Sequence, residues 1–580
     1  MIKTIMGCVR EYKKASLLTP FFVSLEVIVE CILPLLIADL INNIQDGCGI
    51  RTIVKYGIIL VVLAFVSLTF GVLSGDYCAT AACGFAKNLR HDMFCKIQDF
   101  SFSNVDKFSS SSLVTRMTTD VNNIQMAYMM IIRIAVRCPF MLIFAFIMSI
   151  KLGGKLSLIF AVVIPLLGFG LFRIISIVRP VFVRVFKKYD RLNESVQENI
   201  KGMRVVKSFV REKYETNKFN TAAKDVCEDF TTAEKLIALN NPLMQLSINI
   251  IMILIAFFCS KIVISTNAAK LGIGTLSGML TYSIQILMSL MMVSMIFVMI
   301  TMSIESASRI AEVLNEESSI KNPDSPVKNI PDGEIIFDGV SYRYDGCSSY
   351  ALNNVTFRIP SGMTIGIIGG TGSSKTTLVS LISRLYDVTE GCVLVGGTDV
   401  RQYDLETLRN EVAVVLQKNV LFSGTIKENL RWGDPNASDA EIQRVCRLAM
   451  ADEFINRFPD GYDTYIEQGG TNVSGGQKRR LCIARALLKK PKILILDDST
   501  SAVDTRTDAL LRKAFREEIP NTTKLIIAQR ISSVQDCDAI FVMDSGRVES
   551  IGTHEQLLKK SVIYREVYES QIKGGSLNAQ

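Results

Sequence analysis

The sequence lacks the short cysteine spacings that build metal sites and disulfide frameworks. Its 14 cysteines are scattered and no C-x-x-C pair occurs, which excludes a zinc ribbon or a disulfide scaffold and fits free thiols in a reducing compartment. No basic block interleaved with aromatic residues is present, although 64 Lys and Arg outnumber 56 Asp and Glu for a net charge of +8. That pattern excludes nucleic-acid binding and suits a membrane protein with basic cytoplasmic loops. The first apolar stretch lacks the short core and small-residue cleavage site of a secretory leader, so it is expected to remain as a spanning helix. No charge ring or continuous polar stripe follows the apolar segments, which argues against a channel. What is abundant is apolar mass. Hydrophobic residues make up 49% of 580, the mean hydropathy is +0.30, and the excess lies before about residue 310, in a chain long enough for two or more domains.

Six apolar segments, at 17–41, 56–82, 131–150, 156–178, 244–265 and 276–304, are each long enough to cross a bilayer. Lys3, Arg10, Lys13 and Lys14 flank the first and place the N-terminus inside; six crossings bring the chain back there. The loops expected outside, 42–51, 151–155 and 267–272, are short. The inside connections, 83–130 and 179–240, are long, polar and helical in period. Neither holds enough apolar residues for a separate core, so both are expected to be spanning helices continued past the membrane and joined by short exposed turns.

Charges within spans cost about 2.5–3.5 kcal/mol each at mid-bilayer and require partners or a task. Glu26 and Glu30 share a face of the first span, and Arg133 and Arg137 a face of the third. Glu26 and Arg137 both lie roughly 20 Å from the outer ends of their helices, which predicts an ion pair. Glu30 lies nearer the outer leaflet with no obvious partner, which makes it the candidate contact for a cationic substrate. Met288, Met291, Met292, Met295, Met299 and Met302 cluster on overlapping faces of the sixth span; they would line a permissive apolar pocket or simply pack helices.

Near residue 316 the composition changes. A linker at 316–333, rich in Glu, Ser, Asn and Pro, divides a membrane domain at 1–315 from an α/β domain at 334–580. There the apolar run Thr364-Ile365-Gly366-Ile367-Ile368 stops at Gly369-Gly370-Thr371-Gly372-Ser373-Ser374-Lys375-Thr376-Thr377 and a helical segment follows. Strand, glycine turn and helix in that order form a phosphate-binding loop. Backbone N–H groups and a helix N-terminus wrap an anion, Lys375 would reach the β- and γ-phosphates, and the Thr376 hydroxyl would hold Mg²⁺. Ser374 stands where the pattern has glycine. Tyr344, about 25 residues upstream, is a candidate to stack on a purine, or a plain surface tyrosine. Gln417 ends a strand-like run, at the edge where α/β sheets bind ligands. Ser474-Gly475-Gly476-Gln477 opens a second helix, and the run 493–496 ends in the carboxylate of Asp497, the Mg²⁺-side aspartate of a P-loop NTPase.

On these motifs the chain resembles an ATP-binding cassette (ABC) exporter half-transporter: an α-helical membrane domain of six spans with long cytoplasmic extensions, fused to an ABC-type P-loop domain. The resemblance assigns ATP to the loop at Gly369–Thr377 and the Q-loop Gln417, with Tyr344 the adenine-stacking aromatic. It assigns Mg²⁺ to Thr376, Gln417 and Asp497, the signature to Ser474–Gln477, and a D-loop to Ser501-Ala502-Val503-Asp504. In this family two cassettes face head to tail, so that each ATP lies between one phosphate loop and the other subunit's signature. Two positions depart from the family. Asp498 stands where it has a catalytic glutamate, and Gln529 where it has a switch histidine; the two histidines, His91 and His554, are elsewhere. Glu467-Gln468-Gly469-Gly470 also differs from the usual Gly-Glu-Arg-Gly before the signature. Binding groups are kept and hydrolytic groups altered, as in the degenerate-site subunit of bacterial heterodimeric exporters. The resemblance therefore implies a homologous second half-transporter as partner, a multi-pass place in the cytoplasmic membrane, and ATP-driven export of small amphipathic or drug-like compounds. Lipid or peptide export is the first alternative, an ATP-gated channel or regulator the second.

Overall fold

The computed structural model describes residues 1–265, 272–497 and 505–577. The chain forms two compact units, one of residues 1–99 and 108–316, the other of residues 100–107 and 317–580.

The first unit is built of long helices. Lys13–Gln45, Ile50–Gln98, Val121–Gly153, Leu158–Lys201, Asn240–Ser265 and Ile273–Asn315 take up the six apolar segments, the fourth beginning two residues later than expected. Five helical stretches are long and apolar enough to cross a bilayer among the described residues, and one of them, Ser110–Phe182, runs from Val121–Gly153 into the start of Leu158–Lys201. They meet at Gly154, whose φ of +53° is free only for glycine. Helix Ile50–Gln98 runs unbroken for 49 residues, about 70 Å at 1.5 Å per residue, more than twice the hydrocarbon thickness. The long polar connections are thus helix continued beyond the membrane, as expected. Short helices, Phe102–Lys107 and Met203–Ser208, follow Ile50–Gln98 and Leu158–Lys201 along the chain. The outer loop expected at 267–272 lies largely outside the described residues.

The intramembrane charges are packed together. One Arg137 nitrogen lies 2.6 Å from Glu26 Oε1, and the other donates to both Glu30 oxygens at 2.8 and 2.7 Å. Glu26 is 7% exposed. Ser74 adds a bond to its second oxygen, and Gly71 leaves room for it, since a Cβ there would sit 3.3 Å from Glu26 Oε1. The expected Glu26–Arg137 pair is present. Glu30, expected to lack a partner, has one, and the premise that singled it out for substrate falls. A guanidinium has two donor ends, and one arginine reaches carboxylates a helical turn apart.

Among its described residues the second unit holds two larger sheets and a two-stranded ribbon. The antiparallel one, ordered β2-β1-β4-β5, contains β1 (Ile335–Tyr342), β2 (Leu352–Ile359), β4 (Glu390–Val395) and β5 (Thr398–Asp399). The larger one is ordered β12-β11-β3-β10-β9-β6, with β3 (Thr364–Gly369), β6 (Val412–Val415), β9 (Ile493–Asp497), β10 (Thr523–Ile527), β11 (Ala539–Asp544) and β12 (Arg547–Gly552). A ribbon of β7 (Gly424–Thr425) and β8 (Tyr465–Ile466) completes the set. Strands β11, β3, β10, β9 and β6 run parallel. Alternate residues of β9 enter two different cores, Ile493 and Ile495 one, Leu494 and Leu496 the other. A parallel sheet buried on both faces needs such uninterrupted apolar strands.

Candidate nucleotide site

Strand register collects the candidate residues at one edge. Gly369 pairs with Met543, Ile367 with Ile527, Ile527 with Asp497, and Leu496 with Val415. The phosphate loop, Asp497, Gln529 and Gln417 therefore follow the carboxyl ends of four parallel strands, where α/β sheets place ligands. Gln417 is exposed there. Asp498 and Ser501–Asp504 lie outside the described residues.

The loop at 369–374 has the backbone its task requires. At Gly369 a side chain would run into the Met543 carbonyl. Gly372 has φ +84° and Ser374 φ +68°. Ser374 thus adopts the left-handed conformation for which the general pattern uses glycine, and the departure is one of strain, not of shape. Left-handed residues beside right-handed ones turn successive N–H groups inward as an anion cradle, and the helix Lys375–Ile382 begins at its rim. Lys375 Nζ donates to the carbonyls of Gly369 at 2.9 Å and Gly370 at 2.7 Å and to Ser373 Oγ at 3.2 Å, so the ammonium already lies across the loop. Thr376 Oγ1 donates to Asp497 Oδ2 at 2.9 Å, and Asp497 is 2% exposed. A hydroxyl and a buried carboxylate meeting at one point are hard oxygen donors of the kind Mg²⁺ takes. The residues fit a nucleotide phosphate chain with its magnesium ion.

Tyr344 lies two residues beyond β1. Its hydroxyl shares a 2.9 Å hydrogen bond with Thr377 Oγ1, and its ring stands edge-on to Tyr342 and Tyr386, centroids 4.9 and 5.5 Å away. Tyr386 is a residue that spacing did not single out, since a lone tyrosine after a helix carries no pattern. It closes a triangle with Tyr342 and reaches the segment Phe102–Lys107, donating to Asp106 Oδ2 at 2.8 Å and standing edge-on to Phe102 at 6.0 Å. Burial, then the hydrogen bond to Asp106, pushes the Tyr386 phenol above its ordinary value and keeps it a donor. Ser101 and Asn104 also bond to Ser319 and Glu317, which ties 100–107 to the second unit.

The signature sequence caps the helix Gly475–Leu488. Ser474 Oγ accepts from the Gln477 N–H, and Gln477 Oε1 accepts from the Ser474 N–H, a reciprocal cap that leaves other first-turn N–H groups for a ligand. No atom lies within 4 Å of a Cβ built on Gly475.

Two family models match the chain, ABC transporter transmembrane region over residues 17–304 and ABC transporter over residues 352–501. The uncharacterized ABC transporter ATP-binding protein YfiB of Bacillus subtilis is 36% identical over 546 residues, covering 94% of each chain. An uncharacterized ABC transporter ATP-binding protein of Mycobacterium tuberculosis H37Rv is 33% identical over 569 residues, 97% of each. Among solved structures, a bacterial Atm1-family ABC exporter with ATP bound superposes with a TM-score of 0.82 over 97% of this chain and 98% of that one; at 24% identity it establishes the fold. The chain belongs to the ABC transporters, as a multi-pass membrane protein that carries its transmembrane region and an ATP-hydrolysing cassette on one polypeptide.

Proposed function

We propose that the chain is one half of a heterodimeric exporter of small amphipathic compounds in the bacterial cytoplasmic membrane, with its N-terminus and cassette in the cytoplasm. Its own phosphate loop, Gln417 and Asp497 bind ATP and Mg²⁺ at a site weak in hydrolysis. Its Ser474–Gln477 completes the active site on the partner. The observation that carries this reading is the residue at the end of β10: Gln529 follows Ile527-Ala528 where the family has its switch histidine. A carboxamide can hold a γ-phosphate through its N–H but cannot take up a proton as imidazole does. Asp498 in the glutamate position points the same way, because one methylene fewer withdraws the carboxylate by about 1.5 Å and misplacement of about 1 Å can cost a hundredfold. ATP closure of the two cassettes, passed through segments such as Phe102–Lys107, would switch the spans from inward- to outward-facing.

Purification of the chain alone and with the half-transporter that copurifies with it, followed by steady-state ATPase of each, tests this. Low turnover alone and high turnover in the pair are expected. Robust hydrolysis by the isolated chain would show a working site and remove the need for a partner of different sequence.

A further inference from the structure

We propose that Gln571, on the C-terminal helix, is a positioning residue that holds the loop carrying Gln529 in place at the nucleotide site. Between Gln529 and Ile531 the backbone is extended, with Arg530 at φ −98° and ψ 130°. Extended backbone points the carbonyl of one residue and the N–H of the second after it to the same side. The Gln571 side chain takes both: Nε2 donates to the Gln529 carbonyl at 2.8 Å, and Oε1 accepts from the Ile531 N–H at 2.9 Å. Among uncharged side chains only a carboxamide offers a donor and an acceptor in this fork. Glutamine substitutes here for a neighbouring strand and fixes the loop immediately past β10.

The helix that carries Gln571, Val562–Leu577, is itself anchored. Tyr564 is fully buried in the core and its hydroxyl lies 2.7 Å from His554 Nδ1. Tyr568 stands edge-on to the same imidazole at 5.2 Å. Positions 564, 568 and 571 are spaced at four and three residues and share one helical face, so the two tyrosines that fix the helix also aim Gln571. Tyr564 lies within the core cluster and Tyr568 packs against it, and the fork they aim carries that anchoring to the loop past β10.

This inference rests on the reading of Gln529 as the residue facing the γ-phosphate. Loss of the fork should then weaken ATP, which has that phosphate, and leave ADP alone. The test is photolabelling of the full chain, with its partner half, by an azido-adenine diphosphate, competed with ATP or ADP and read on this chain's band. Gln571→Met keeps the length and loses both bonds; Gln571→Glu keeps only an acceptor. Both are expected to raise the ATP concentration for half-competition by about fivefold to tenfold, the value of one or two net hydrogen bonds, with ADP competition unchanged as proof of a folded site. Gln529→Ala should do the same, and Gln571→Met added to it should cost nothing more. Equal weakening of ATP and ADP, no weakening of either, or full additivity with Gln529→Ala would overturn the proposal. If Gln529→Ala itself leaves the preference for ATP over ADP intact, the reading of Gln529 fails, and the role given to Gln571 fails with it. If Gln529→Ala acts and Gln571→Met does not, only the latter falls.

Discussion

At the residue scale, strain and buried charge make the sharpest predictions. Ser374 sits at φ +68°, which costs an L-residue about 1–2 kcal/mol, whereas glycine would add about 0.5–1 kcal/mol of chain entropy to lose. The strain is the larger effect, so Ser374→Gly should stabilise the nucleotide-free chain by about 0.5–1 kcal/mol with ATP binding retained, measured as a raised midpoint of thermal inactivation. In the membrane unit, Arg137 is the one cation bonded to Glu26 and Glu30 among the described residues. Arg137→Met would leave two carboxylates uncompensated, a loss of about 3–5 kcal/mol, and the folded, monodisperse yield in detergent should collapse. Neutralising all three groups together (Glu26→Gln, Glu30→Gln, Arg137→Gln) should recover most of it. Glu30→Gln alone leaves the Glu26 arm of the pair and should be mild. If Arg137→Met is tolerated as well as Glu30→Gln, the triad is not structural.

At the element scale, what links the nucleotide site to the segment Phe102–Lys107 is an edge-on pair of tyrosines. Tyr344 bonds to Thr377 in the helix after the phosphate loop, Tyr386 packs on Tyr344, and Asp106 accepts from Tyr386. Tyr386→Phe keeps the rings and removes the bond to the carboxylate, a charge-assisted bond worth about 1.5–3 kcal/mol when well buried and less at this half-exposed site. Nucleotide binding should be retained while transport coupled to it falls roughly fivefold, about 1 kcal/mol of coupling; equal loss of both would assign Tyr386 to the pocket alone. This pair also marks the limit of what the chain's pattern revealed. The spans, their helical continuations and the loop-bearing strands were legible because apolar period and glycine turns are local signals. The ends of β3, β6, β9 and β10 could be inferred to meet because parallel strands align them. Glu30's second claim on Arg137, the Asp106–Tyr386 bond across 280 positions and the Gln571 fork are side-chain meetings between distant segments. No spacing encodes them, and each rests on the reach of a long or branched polar group that periodicity treats as surface.

At the scale of the whole transporter, the proposed function has this chain lend different residues to two sites, and one pair of variants tests that division. Asp498→Ala alters only the chain's own site, where hydrolysis is already weak on the present reading, so turnover of the heterodimer should fall modestly. On the same reading, Gly475→Asp alters the partner's site. Open space surrounds Gly475 at the start of its helix, so an aspartate is sterically tolerated within the chain and its folding and its own nucleotide binding should survive. The harm arises only on assembly, when a carboxylate stands at the helix N-terminus that should meet the partner-bound γ-phosphate. Like charges at short range in a partly desolvated interface repel by several kcal/mol. At about 1.4 kcal/mol per tenfold, that removes most of the turnover. The expected order is therefore Gly475→Asp far worse than Asp498→Ala in steady-state ATPase, each variant paired with wild-type partner. Photolabelling of the Gly475→Asp chain by itself should be normal, which separates a failed interface from a misfolded subunit. The reverse order would make Asp498 the working base of a competent site, and the two halves would then share hydrolysis instead of dividing it.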